Sequence, residues 1–271
     1  MPASKPPLRS MYRHRLPMRL SHWLNAICLF ILLLSGLQIF NAHPYLYWGS
    51  ASDFDSPWLE IDAHRNSDNA VRGHISVMGY DIDTTGTFGV SGDNDVRGFP
   101  SWLSWHFFFA WILVINAALF LIWAAISGHL KRLIPTLDDW RGFGRSVIDH
   151  IKFRHPTGEA ATRYNILQKL AYLIVIFGLG GLIVVTGLCM SPRMNTVMGD
   201  VLTFFGGRQS ARSLHFLAAS GFVLFVFIHL FEVIVTGPWN NLRSMITGRF
   251  HYRADASEST EASKTRENFH D

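Results

Sequence analysis

Four histidines stand inside or at the rims of the most apolar stretches of this chain: His22, His106, His215 and His229. A neutral imidazole is a ligand for metals and haem iron. An ionisable side chain at membrane depth is costly enough to imply a function. His215 and His229 are fourteen residues apart. At about 3.6 residues per helical turn they point to nearly the same face, and at about 1.5 Å per residue they lie about 21 Å apart. That distance is too long for one shared metal. It suits two centres stacked across a bilayer core of about 30 Å.

The elements that must hold them follow from composition. The chain has 271 residues, 49% hydrophobic and 16% charged, against about 25% charged in soluble domains. Crossing a bilayer takes roughly 20 apolar residues of helix. Four stretches qualify, at about 19–40, 101–127, 166–190 and 212–236. The expected fold is an all-α membrane protein, a four-helix bundle enclosing two haems. Residues 1–18 form a basic N-terminal segment, 19–250 the bundle domain with a long loop at 41–100, and 251–271 a polar, disordered tail. This composition excludes a disordered chain, a collagen and a disulfide scaffold. Only 2 cysteines are present, and no Cys-x-x-Cys-His, which excludes Cys-rich metal sites and covalent haem attachment.

Lysine and arginine placement sets the orientation. Lys5, Arg9, Arg13, Arg15 and Arg19 stand before Ser21 without an acid among them, and seven basic residues fill the connection from Gly128 to Asn165. The loop between the first two spans holds only Arg65, Arg72 and Arg97 against nine acids. Both termini and the middle connection are therefore expected on the cytoplasmic side of the membrane. The net charge of +4 then reads as a topology signal, and membrane lipid rather than nucleic acid is the expected surrounding. The basic-then-apolar start is read as a retained helix, because three more spans follow and no small-residue cleavage site does.

With that topology the histidines pair by depth, His106 with His215 near the outer face and His22 with His229 near the inner face. Each pair can supply two axial imidazoles to one b-type haem, making four iron ligands in all. Gly36 falls fourteen residues after His22, where an absent side chain leaves room beside the outer haem. Arg19 and Arg212 each precede a ligand by one turn and are candidate partners for haem propionates. Trp23, Trp102, Trp105 and Trp239 mark span ends, as interfacial tryptophans do.

The connections carry their own signals. A loop of about 60 residues is too long to be bare, and Asp81–Gly86 and Ser91–Asn94 read as turns around short strands. Trp140, Phe143, Val147, Ile148 and Ile151 recur at helical spacing among basic residues, as in an interfacial helix.

These residues resemble the bacterial di-haem b-type cytochromes that anchor periplasmic oxidoreductases. The resemblance is to the cytochrome b subunit of thiosulfate reductase, and to the formate dehydrogenase gamma subunit and nickel–iron hydrogenase cytochrome b. It runs from roughly Tyr12 to Phe250. It is carried by Arg19-Leu20-Ser21-His22-Trp23, Trp105-His106-Phe107, Thr186-Gly187-Leu188 and the His215/His229 pair. The resemblance implies the same ligand pairs, electron exchange with the quinone pool, and a periplasmic partner, expected to contain molybdopterin. The long outer loop departs from the compact hydrogenase and formate dehydrogenase types.

Two bis-histidine haems would carry electrons without binding substrate at iron, so no catalytic residue is expected on the metal. Quinone chemistry also needs a proton carrier. Glu232, one turn past His229, and Lys169, near the start of the third span, are the candidates. A stand-alone quinone-coupled cytochrome of the superoxide oxidase or ferric reductase type would share the spans and histidines without a partner. A histidine-relay transporter would hold no haem, and it lacks the broken helices such transporters use.

Overall fold

The computed structural model describes residues 8–65, 71–84, 99–152, 165–191, 193–194 and 196–253. In chain order the elements are β1 (Leu8–Tyr12), α1 (Leu16–Asn41), β2 (Tyr45–Leu46), β3 (Leu59–Arg65), β4 (Val71–Val77), β5 (Tyr80–Asp83) and α2 (Phe99–Ile126). Three short helices follow, α3 (His129–Leu133), α4 (Leu137–Arg141) and α5 (Phe143–Ile151). Next come α6 (Ile166–Leu173), a π-helical segment (Ile174–Leu179) and α7 (Gly180–Met190). The chain then forms α8 (Gly199–Phe204), α9 (Arg208–Val235), α10 (Pro238–Thr247) and β6 (Arg249–Arg253).

Four helices are long and apolar enough to cross a membrane: Leu16–Asn41, Ser101–Ile126, Ile166–Met190 and Arg208–Val235, of 26, 26, 25 and 28 residues. They lie where the sequence places the spans. Their burial is that of a lipid-facing fold. The positions turned inward are small, with Cys28, Ser35, Ala124, Thr186, Cys189, Ala211, Ser213 and Ala218 all buried. Large apolar side chains such as Phe30, Leu119, Phe227 and Ile234 face outward. Water would penalise that inversion, whereas lipid tails accept it and small residues let helices approach.

The chain divides into two compact units. One comprises residues 1–23, 117–174 and 225–271. In it β1 and β6 pair antiparallel, with Leu8 opposite Arg253 and Tyr12 opposite Arg249. Gly248 makes the turn into β6 at φ 83°, and a Cβ there would meet the Tyr12 ring at 2.5 Å, so no other residue fits. The Arg13 guanidinium stacks over Phe250 at 4.7 Å. Thr136 and Asp139 form a capping box at the start of α4, and Asn165 and Gln168 another at the start of α6. Lys169 on α6 reaches the Asp139 carboxylate at 2.6 Å.

The other unit comprises residues 24–116 and 175–224. Its antiparallel sheet has the order β2-β3-β4-β5. The sheet is tied to α9 by Trp58 Nε1, which donates to Ser213 Oγ at 2.9 Å, and by Ser213 Oγ, which donates to the Tyr47 carbonyl at 2.6 Å. Gly207, at φ 112°, lies so close to Gly49 that a Cβ would stand 2.7 Å from its carbonyl oxygen. Between the spans, Asn116 Nδ2 donates to Asn25 Oδ1 at 2.7 Å, pairing two amides that lipid could not satisfy.

Several expectations change. The turn expected at Asp81–Gly86 begins as strand, because Asp81 to Asp83 pair with Ser76 to His74, and the chain reverses instead at Met78-Gly79. Gly79, at φ 82°, supplies the left-handed position that the turn needs. Residues 85–98, with the second expected turn, lie outside the described residues. The interfacial helix is broken at Gly142, so Trp140 falls on α4 and Phe143 on α5. The first residues of the expected tail, 251–253, complete β6, because β1 offers them a partner strand. The rest of the tail is outside the described residues.

Candidate functional site

Each unit brings two of the four histidines together. In the first, the His22 and His229 ring centroids are 6.2 Å apart. In the second, His106 and His215 are 6.3 Å apart. These separations can be tested against an iron between the rings. Metal–imidazole nitrogen bonds run near 2.0–2.1 Å, and a ring nitrogen lies about 1.2 Å from its centroid, so two imidazoles on one metal have centroids about 6.4 Å apart. Both pairs fit. Among the described residues no group of three or more His, Cys, Asp or Glu side chains could hold a metal ion.

The second pair also shows how its rings are set. Ser35 Oγ on α1 lies 2.9 Å from His106 Nδ1, and Thr186 Oγ1 on α7 lies 3.1 Å from His215 Nδ1. Each hydroxyl donates its proton back along its own helix, Ser35 to the Ile31 carbonyl at 2.8 Å and Thr186 to the Leu182 carbonyl at 2.6 Å. Each oxygen is therefore an acceptor for the Nδ1–H. That fixes the tautomer with the lone pair on Nε2, the form a metal takes. The residue after each hydroxyl is a glycine. A Cβ on Gly36 would lie 3.5 Å from His106 Cε1, and one on Gly187 3.2 Å from His215 Cε1. The bare backbone gives the rings their room, so Gly36 meets the His106 ring directly.

The first pair is set differently. His229 stacks on Phe225 at 5.7 Å, and His22 meets Trp23 edge-on at 5.4 Å. Nδ1 of His22 is buried with no hydrogen-bond partner. Trp23 Nε1 donates to the Met245 carbonyl at 3.2 Å.

The remaining candidates fall in defined places. Arg19 donates through Nη2 to the Ile246 carbonyl, and its Nε is buried without a partner. Arg212 donates to the His43 carbonyl. Glu232 Oε1 lies 3.2 Å from His150 Nε2. Lys169 is engaged by Asp139, and its hydrogen bond is the largest cause holding the Asp139 carboxyl down at about 2. Near the first pair, His14 is pushed down to about 4 by burial and then by Arg13.

Ser35, Thr186, His43 and Tyr47 carry no side-chain role in the sequence reading, where Thr186 appears only within the Thr186-Gly187-Leu188 motif. For the first two a signal was present. Ser35-Gly36 and Thr186-Gly187 are both a hydroxyl residue followed by glycine inside an apolar span, on the two spans that face the His106 and His215 rings.

The chain is similar to known proteins over most of its length. A family model described as prokaryotic cytochrome b561 matches residues 13–248. The chain is 26% identical over 232 residues to the putative protein-methionine-sulfoxide reductase subunit YedZ1 of Azospira oryzae, covering 85% of this chain and 93% of the relative. It is 22% identical over 260 residues to the probable Ni/Fe-hydrogenase B-type cytochrome subunit of Cupriavidus necator, covering 91% and 89%. A stretch of 90 residues is 37% identical to the putative cytochrome YdhU of Escherichia coli, covering 32% of each chain.

Proposed function

This chain belongs to the prokaryotic cytochrome b561 family, as a membrane electron-transfer subunit of an oxidoreductase system, and from that premise we propose that it links the quinone pool to a periplasmic partner subunit through two haems. The observation that carries the reading is the repeated histidine pair, at 6.2 and 6.3 Å. His22 and His229 would hold one b-type haem, and His106 and His215 the other. When bound, each haem would supply a one-electron iron couple, and two imidazoles held to its iron would leave it to exchange electrons rather than bind substrate.

The chain's own residues do the rest. Ser35 and Thr186 hold the His106 and His215 imidazoles with Nε2 free for iron. Arg19 keeps a buried Nε–H for the propionate of the haem on His22. Glu232 and His150 form an acid–base pair 3.2 Å apart, with Glu232 one turn past His229, where a quinone proton can be taken or given. Lys169 is the second candidate there. Its ammonium is already held by Asp139, so Glu232 with His150 is the stronger choice.

The basic residues before α1 and in the α3–α5 connection support cytoplasmic termini in the inner membrane. That orientation puts the β2–β5 sheet in the periplasm, where its acidic residues suit a partner with a basic face. A molybdopterin-containing oxidoreductase fits that position. The relatives named as reductase and hydrogenase subunits support the role of electron-transfer partner.

The test is to add a soluble quinol to the purified full chain and record the haem spectrum. Haem reduction that is slowed when Glu232→Gln is introduced is expected. No reduction by quinol in the wild-type chain would overturn the quinone role. Co-purification of a periplasmic molybdopterin subunit is expected from native membranes, and its absence there would leave a stand-alone cytochrome.

A further inference from the structure

Outside both histidine pairs, three polar side chains converge where the sheet meets the start of α9. Tyr47 is 1% exposed, and its hydroxyl has no hydrogen-bond partner. Nε2 of His43 is buried and equally without one. The two rings are 5.9 Å apart, and Phe54 closes on both edge-on at 5.8 and 5.9 Å. Arg212 joins them from α9 and donates to the His43 carbonyl. Its charge is felt by both groups. It adds to the burial that pushes His43 down, and it opposes the burial that pushes the Tyr47 phenol up.

Buried polar groups in native proteins are nearly always paired, and each exception calls for a reason. Glu60 and Asp53 act on the Tyr47 phenol through charge without bonding it, and Glu60 stands 3.8 Å from His74 Nδ1. Asp53 accepts from Ser56 Oγ at 2.6 Å, and Asp62 accepts from Tyr45 at 2.6 Å. The cluster therefore offers a phenol O–H, an imidazole N–H and a guanidinium to something outside itself. Three donors and one positive charge match an anion with two acceptor oxygens. The position narrows the choice. Arg212 precedes His215 by three residues on one helix, and Ser213 holds the Tyr47 backbone against that same turn.

We propose that Arg212, Tyr47 and His43 form a buried carboxylate-binding site at the head of α9, and that the carboxylate is a propionate of the haem on His106 and His215. The source of the carboxylate rests on the haem reading above. The donor site itself does not.

The experiment is an optical redox titration of the purified full chain carrying Tyr47→Phe, Arg212→Gln or Arg212→Lys. Tyr47→Phe keeps the ring and removes only the hydroxyl, so packing is preserved. Both haems should be retained, and one midpoint should fall in Tyr47→Phe and Arg212→Gln, because a propionate stripped of donors favours ferric iron. For Arg212→Gln a change of about tenfold in the reduction equilibrium is expected, which is about 59 mV for one electron. Arg212→Lys should recover most of it. No shift in either haem, or equal shifts in both, would overturn the proposal. Acetate and succinate titrated calorimetrically into the wild-type chain should give no binding. Saturable binding abolished by Tyr47→Phe would assign the donors to a free carboxylate and overturn the propionate source. A wild-type chain without haem would sink the parent reading, and the site would then stand or fall on the carboxylate titration alone.

Discussion

Thr186 Oγ1 stands 3.1 Å from His215 Nδ1 while donating its own proton to the Leu182 carbonyl at 2.6 Å. Ser35 holds His106 in the same way from a different helix. An acceptor on Nδ1–H raises the basicity of the opposite nitrogen, and removing such a partner typically lowers metal affinity about 10- to 100-fold. Thr186→Val and Ser35→Ala should therefore weaken retention of one haem and raise its midpoint potential, because a less basic imidazole stabilises ferric iron less. The other haem, on His22 and His229, should be unchanged. Haem-to-protein ratios and redox titrations of the purified variants check both parts.

The two glycines beside these rings separate by distance. A Cβ at Gly187 would stand 3.2 Å from His215 Cε1, and one at Gly36 3.5 Å from His106 Cε1. The first is a squeeze and the second an ordinary contact. Gly187→Ala should perturb the Soret band or lower haem occupancy, and Gly36→Ala should be nearly silent. Gly36→Leu should lose one haem. Absorbance spectra of the three variants measure this, and equal effects of the two alanines would contradict the packing.

The four spans and the four histidines were legible because lipid imposes length and apolarity on the helix, and because a polar side chain stands out against that background. The pairing followed from depth, which the spacing of His215 and His229 carries along α9. The hydroxyl supports were not read, since Ser35 and Thr186 are residues a membrane helix tolerates by bonding back to its own carbonyls. The β1–β6 ribbon was also missed. It joins residues 8–12 to 249–253, and no local signal in either segment announces a partner so far away in sequence. The β5 strand was read as a turn from its aspartates, when the turn belonged to Met78-Gly79.

The ion pair of Lys169 with Asp139 sets a pH window. The Asp139 carboxyl is held at about 2, chiefly by the Lys169 hydrogen bond and the Thr136 backbone N–H. Its folded value is depressed below that of a free aspartate, near 3.9. Stability from this contact is therefore present above about pH 4 and is lost as pH falls toward about 2. Asp139→Asn should be less stable than wild type at neutral pH, with the difference shrinking across that window. Thermal unfolding in detergent at stepped pH reads it.

Replacing His229 with alanine should remove the haem of the first unit and leave that of the second, and replacing His106 should do the reverse. Both variants losing both haems to the same degree, with the fold intact by circular dichroism, would contradict two independent pairs.

The most direct measurement is a reduced-minus-oxidised optical spectrum of the purified full chain, calibrated by pyridine haemochrome against protein concentration. The account predicts b-type bands and two haems per chain, one for each histidine pair at 6.2 and 6.3 Å. A chain that carries no haem, or holds one that survives loss of all four histidines, would contradict it.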